Sequence, residues 1–131
     1  MPLLTWKDTL SVGNDVLDAD HRHLIALIND FFETWSGDAD GSRAARLLDQ
    51  LIAYTDTHFL REERILAEHD YGRLPDQRLA HLELRAEVQL MRQKIAENDP
   101  SLTPTAIGRL LQSWLVDHIL AEDKLYQHLF V

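Results

Sequence analysis

The chain has 131 residues, of which 45% are hydrophobic and 27% charged, a composition typical of one globular domain, here expected to span residues 1–131. Its formal net charge of -9 disfavours nucleic acid and anionic membrane surfaces as partners, and the absence of cysteine excludes disulfides and thiolate metal sites. Because the chain also lacks a long apolar run and a leader-like start, we expect a soluble, cytoplasmic protein.

The N-terminal segment, residues 1–17, is predicted to form an ordered arm, because Trp6 and Val12 need cover from the rest of the protein. Apolar residues then recur at spacings of three and four, which indicates a first helix. Its stripe comprises His21, Leu24, Ile25, Ile28, Phe31, Phe32 and Trp35.

Two further helices follow with the same spacing. The second is expected to begin with Ser42 as its N-cap, and the third to begin near Pro75. The second stripe comprises Leu47, Leu48, Leu51, Thr55, His58, Glu62, Ile65 and Leu66. The third comprises Gln77, His81, Leu84, Val88, Met91 and Ile95.

A fourth helix is predicted after Thr103 and Pro104, since threonine is a good N-cap and proline is tolerated at the first helical position. Its stripe comprises Ile107, Leu111, Trp114 and His118, with Asp123 and Tyr126 slightly off its axis. No strand-like alternation competes with these patterns. Four helices joined by short loops predict an all-α fold, an antiparallel up-down-up-down four-helix bundle with an N-terminal arm.

Imidazole, amide and carboxylate side chains interrupt every one of these apolar stripes. They are His21 in the first helix, His58 and Glu62 in the second, Gln77 and His81 in the third, and His118 and Asp123 in the fourth. In an antiparallel bundle all four groups fall at the same end. A solvent-exposed His–Glu pair would explain one helix but not four, and a buried carboxylate needs compensation for its desolvation.

A metal site provides that compensation. Nitrogen and oxygen donors suit iron, manganese, zinc or copper, and two carboxylates can bridge a pair of ions. The sequence has neither the Glu-x-x-His pairs of ferritin-like di-iron bundles nor the His-Glu-x-x-His of zinc proteases, and a bis-histidine haem would leave the carboxylates unexplained. The remaining polar candidates are interpreted as surface residues: His23, His69, His128 and Glu63.

Four sequence motifs together resemble the hemerythrin family, in particular its bacterial members, over nearly the whole chain. They are Asp18-Ala19-Asp20-His21, Tyr54-x-x-x-His58-Phe59-x-x-Glu62-Glu63, Tyr71 with His81 ten residues later, and Trp114-Leu115-x-x-His118-Ile119-x-x-x-Asp123-x-x-Tyr126. The resemblance implies reversible O2 binding, as carrier, store or sensor, at two non-haem iron ions joined by an oxo or hydroxo bridge.

The same resemblance implies a role for each candidate ligand. His21 and His58 would hold one iron, which keeps an open position, and His81 and His118 would help to hold the other. Glu62 and Asp123 would bridge the two ions. The walls of the O2 pocket would be Leu24, Phe59, Trp114 and Leu115.

Gln77 departs from the family pattern, which usually has histidine at this position. Its amide oxygen could bind iron weakly, its side chain could hold a water, or the iron could stay five-coordinate. An extra labile position would allow an alternative function, a di-iron enzyme with peroxidase or nitric oxide reductase activity. The expected ligand is thus O2, or else a similar small diatomic or a peroxide, and a protein partner cannot be named from the sequence.

Overall fold

The computed structural model describes residues 3–36, 42–97 and 103–131. Its four long helices are α1 (Asp15–Ser36), α2 (Ser42–Glu68), α3 (Leu74–Ala96) and α4 (Pro104–Ala121), and short 3-10 helices span Asp8–Leu10 and Asp123–Leu129. No strand occurs in the described residues. Helix α1 packs against α2 and α4, and α2 packs against α3, so the predicted antiparallel four-helix bundle is confirmed.

The bundle core is built from the predicted stripes. Burying these large aliphatic and aromatic side chains stabilises the fold by about 1.5 to 3 kcal/mol for each. Fully buried members include Leu24, Ile28 and Phe31 of α1, Leu48 and Leu51 of α2, Val88 of α3, and Ile107 and Leu111 of α4.

The helix ends agree with the sequence signals in two places and differ in two. Thr103 caps α4, its hydroxyl oxygen accepting from the backbone N–H of Ala106 at 3.1 Å, with a proline in the first turn. Pro75 lies in the first turn of α3. Ser42 is the first residue of α2 rather than the residue before it.

The second difference concerns the end of α4, which stops at Ala121, so that Asp123 and Tyr126 lie on a separate 3-10 segment. The backbone N–H of Glu122 still bonds to His118 at 2.8 Å, whereas that of Leu125 bonds to Glu122, three residues back, at 3.2 Å. The change from i→i−4 to i→i−3 hydrogen bonding tightens the helix. It places the Asp123 carboxylate beside His21 and His118. The two residues are therefore not an off-axis continuation of the α4 stripe.

The N-terminal arm is present but ends at residue 14, because residues 15–17 already belong to α1. Val12 is buried and Trp6 half-buried, with the Arg22 guanidinium 4.5 Å from the Trp6 ring. The Asp18 carboxylate accepts from the Ser11 hydroxyl at 2.5 Å and from the Val12 N–H at 2.9 Å. These bonds fix the arm against the end of the bundle where α1 begins.

Among the helices described, none combines the length and the apolar character that crossing a membrane requires.

Candidate metal centre

All the predicted ligand residues converge at one end of the bundle, in its interior. The ligand residues of α1 and α3 lie near the starts of these helices, and those of α2 and α4 lie near the ends, as expected for antiparallel neighbours. Asp123 comes from the 3-10 helix that follows α4. The converging residues, each at most 9% exposed, are His21, His58, Glu62, Gln77, His81, His118 and Asp123.

The first half of the cluster, which we call the His21–His58 lobe, collects two imidazoles and one oxygen from each carboxylate. Nε2 of His58 lies 3.1 Å from Glu62 Oε2. Nε2 of His21 lies 3.5 Å from the same oxygen and 3.2 Å from Asp123 Oδ2. The two imidazole rings meet edge to face, with centroids 4.8 Å apart.

The second half, the His81–His118 lobe, uses the other oxygen of each carboxylate. Nε2 of His81 lies 2.9 Å from Glu62 Oε1, and Nε2 of His118 lies 2.9 Å from Asp123 Oδ1. The Gln77 amide also enters this lobe. Each carboxylate is therefore divided between two pairs of histidines, the arrangement needed to bridge two cations.

Several polar atoms of the cluster are buried without any hydrogen-bond partner. They are both ring nitrogens of His21, Nε2 of His118 and Oδ2 of Asp123. His118 Nε2 lies close to Asp123 Oδ1 yet is not aligned for a hydrogen bond to it. Because an unpaired buried polar atom costs roughly 1 to 3 kcal/mol, so many in one place indicate a missing partner. Nitrogen and oxygen donors that converge in this way can hold metal ions.

In the metal-free cluster, the imidazoles and the carboxylates shift each other's pKa values in directions that oppose the effect of burial. Burial alone would lower the pKa of His21, but the carboxylates of Asp123 and Glu62, 3.2 and 3.5 Å from its Nε2, raise that pKa to about 10. Burial would raise the pKa of Glu62, but the charge of His58 and the surrounding imidazole hydrogen bonds hold it well below its usual range. In the metal-free cluster, positive charge on the His21 imidazole thus takes the electrostatic role that a cation would have.

Asp20, just outside the cluster, orients His58. Its Oδ2 accepts from Nδ1 of His58 at 2.8 Å and from Nε of Arg61 at 2.9 Å, and its Oδ1 accepts from the Tyr54 hydroxyl at 2.6 Å. Burial would raise the pKa of Asp20, but these bonds hold it far below its usual range. With Nδ1 engaged, the lone pair of His58 Nε2 is directed into the cluster.

Glu63 gives the equivalent support to His81, so its assignment to the solvated surface is wrong. Its carboxylate accepts from His81 Nδ1 at 2.8 Å and from Arg78 Nε at 3.2 Å. Sequence reasoning did not assign Asp20, Tyr54 or Glu63 a role. The available signal was their position, each within four residues of a predicted ligand in the quoted motifs.

A small cavity adjoins the cluster, with a volume of about 10 Å³, room for the centre of one water-sized molecule. All four residues predicted to form a pocket line it: Leu24, Phe59, Trp114 and Leu115. Leu84 completes the apolar wall. The three other histidines, His23, His69 and His128, are exposed, as expected.

Comparisons with known proteins agree with this geometry. A family described as hemerythrin HHE cation binding domain matches residues 12–130. The bacteriohemerythrin of Stenotrophomonas maltophilia strain R551-3 is 30% identical over 129 residues, 96% of this chain and 80% of that protein. The myohemerythrin of Riftia pachyptila is 27% identical over 122 residues, 93% of this chain and 89% of that protein.

Solved structures share the fold. A wild-type hemerythrin structure superposes with a TM-score of 0.86 at 24% identity, covering 98% of this chain and 98% of that one. The structure of a hemerythrin mutant in which one leucine is replaced by alanine gives a TM-score of 0.87, also at 24% identity, covering 99% and 98%.

Proposed function

Because the chain belongs to the hemerythrin family, we propose that it binds O2 reversibly at a pair of non-haem iron ions, as a carrier, store or sensor. One observation carries the proposal: two buried carboxylates are divided between two pairs of histidines beside a small apolar cavity. Two iron ions joined by an oxo or hydroxo bridge would supply there the electrons that reversible O2 binding requires.

Each ligand residue has a proposed role that follows its place in the cluster. His21 and His58 would hold one iron, which keeps an open position, and His81 and His118 would help to hold the other. Glu62 and Asp123 would bridge the two ions. The distances support this sharing of the carboxylates. One oxygen of each carboxylate lies nearest a histidine of the His21–His58 lobe, and the other lies nearest a histidine of the His81–His118 lobe.

The cavity wall serves to exclude water. Leu24, Phe59, Leu84, Trp114 and Leu115 present only apolar surface to the space beside the imidazoles. The Trp114 ring is fixed, since its Nε1–H donates to the backbone oxygen of Leu84 at 2.9 Å and thereby joins α4 to α3. A dry, fixed wall slows loss of reduced oxygen species to solvent.

The same wall favours reversible binding over the alternative of peroxidase or nitric oxide reductase activity. Catalysis of either kind requires proton transfer, normally by a side chain within hydrogen-bond reach of the ligand. Beyond the cluster residues themselves, the described lining of the cavity contains no titratable group.

We also propose that residues 1–131 form a single domain. The arm and the C-terminal 3-10 segment are joined by Lys124, whose Nζ donates to the backbone oxygen of Ser11 at 2.8 Å. Both ends of the described chain thus contribute to one structure.

Iron analysis combined with absorption spectroscopy tests the function. We expect two irons per chain, and a visible absorption band that forms when the reduced protein meets O2 and disappears when O2 is removed. Irreversible oxidation without such a band would contradict reversible binding, whereas a chain that takes up no iron would contradict the metal site itself.

A further inference from the structure

Gln77 places the nitrogen of its side-chain amide between two carboxylate oxygens of the same lobe. Its Nε2 donates to Glu62 Oε1 at 2.7 Å and to Asp123 Oδ1 at 2.6 Å, and lies 3.4 Å from His81 Nε2. The residue is 2% exposed. Both hydrogens of the amide are therefore used on the carboxylates, in a site that water hardly reaches.

In this position the Gln77 amide nitrogen competes with a cation for the same two carboxylate oxygens. A carboxamide nitrogen donates hydrogen bonds and offers no lone pair to a metal, since only the amide oxygen accepts. The two oxygens that Gln77 engages, Glu62 Oε1 and Asp123 Oδ1, are the ones that an ion beside His81 and His118 needs. Because the amide nitrogen lies 2.7 Å and 2.6 Å from these oxygens and 3.4 Å from His81 Nε2, it stands where that ion would bind, and an ion that enters displaces it from two charge-assisted hydrogen bonds.

The other lobe has no such competitor. Asp123 Oδ2 lacks a hydrogen-bond partner, and Glu62 Oε2 accepts from the Tyr126 hydroxyl at the longer distance of 3.1 Å. The His81–His118 lobe gathers four donors within 4.8 Å of one another, from Glu62, His81, His118 and Asp123, whereas the His21–His58 lobe gathers three, from His21, His58 and Glu62. The donor count therefore does not make the His81–His118 lobe the weaker one, and the feature that opposes an ion there is the Gln77 amide.

We infer that the His81–His118 lobe is a weakly binding, exchangeable metal position, because Gln77 competes with the ion for the shared carboxylate oxygens instead of binding the ion. This inference rests on the proposed two-ion centre. At limiting ferrous iron the chain then holds a single ion in the His21–His58 lobe, and the second position fills only as free iron rises.

Anaerobic titration with ferrous iron against a competing chelator, with iron counted per chain, tests the inference. For the wild-type protein we expect two dissociation constants separated by at least about tenfold, the effect of roughly one charge-assisted hydrogen bond. Gln77→Leu, which keeps a similar volume and removes the donor, should tighten the weaker ion. Gln77→His should tighten it by more than about tenfold through a new ligand.

Gln93→His is the matched control, since Gln93 is exposed on the same helix, where its amide donates to the Glu97 carboxylate at 3.1 Å. It should leave both dissociation constants unchanged. If Gln77→Leu weakens the second ion or has no effect, the inference is overturned, and weakening would identify the amide oxygen as a ligand. Equal affinities for two ions in the wild-type protein would also overturn it.

The experiment separates this inference from the proposed function. Failure of both the wild-type protein and Gln77→His to bind a second ion at any iron concentration would reject the two-ion centre. Two equally tight ions in the wild-type protein would leave that centre intact and reject only the role of Gln77. If Gln77→His does not fold, as judged by its helical circular dichroism, the wild-type protein and Gln77→Leu still decide.

Discussion

Asp20 and Glu63 each hold one ligand imidazole in place, and the two act on different lobes. Asp20→Asn removes the charged acceptor from His58, so the ion of the His21–His58 lobe should bind about 10- to 100-fold more weakly. Glu63→Gln should have the corresponding effect on the other lobe through His81. Iron titration of both variants checks this, and a change in the same ion for both would contradict the assignment of lobes.

The pKa of His21 predicts how the stability of the metal-free protein depends on pH. Since folding raises this pKa from 6.5 to about 10, protonated His21 stabilises the folded state fully below pH 6.5. That contribution is lost as the pH rises towards 10, with a slope of at most about 1.4 kcal/mol per pH unit for this one group. Urea unfolding of the metal-free protein between pH 6.5 and 9 measures it.

The iron-loaded protein is the control for that measurement, because a ligand imidazole is already deprotonated. Its free energy of unfolding should not fall over the same range. A metal-free protein whose stability is constant from pH 6.5 to 9 would show that His21 is neutral in the cluster.

At the residue scale, the sequence predicted the side chains that converge but not the contacts that orient them. His58 and Glu62 were identifiable because they interrupt an apolar stripe. The bond between His58 and Asp20 joins two helices, and polar residues at a helix surface give no local sign of such a partner. Gln77 was recognised as unusual, whereas the direction of its amide depends on where Glu62 and Asp123 lie.

At the scale of single elements, helix α4 combines a core face and a cavity wall. Leu115→Ala should destabilise the fold by about 2 to 5 kcal/mol and also admit water to the cavity, so the oxygenated protein should oxidise faster. Leu111→Ala is the matched control, because Leu111 is fully buried on the same helix but does not line the cavity. Oxidation rates and urea unfolding of both variants provide the measurements.

Leu111→Ala should therefore lose similar stability while its oxidation rate stays near that of the wild-type protein. Equal acceleration in both variants would show that general loosening of the core, rather than the cavity wall, controls oxidation.

The helices were predictable as elements because their stripes are long and regular, but the end of α4 was not. Residues 119–123 contain neither glycine nor proline, so nothing local marks the change to a 3-10 segment. On a continuous helix, Asp123 would point about 140° away from His118. The structure instead brings Asp123 Oδ1 to 2.9 Å from His118 Nε2, which requires the helix to end first.

At the scale of the whole molecule, the metal centre should control the stability of the C-terminal segment. Asp123 begins this 3-10 helix, a conformation with weaker hydrogen bonds than an α-helix, so loss of metal should loosen it locally. Hydrogen exchange of residues 123–129 should accelerate after chelation, whereas exchange around Leu48 and Leu51 should change less. A uniform increase along the chain would instead indicate global destabilisation.

If two ions bind as proposed, the division of Glu62 and Asp123 between the lobes couples their affinities energetically. If an ion in one lobe changes the affinity of the other lobe by some factor, reciprocity requires the same factor in the opposite direction. Substitutions at Asp20 or Glu63 act first on one lobe, whereas any change to a shared carboxylate acts on both. In the proposed two-ion centre, the two positions would therefore respond to iron as one coupled unit, with the coupling transmitted through the two shared carboxylates.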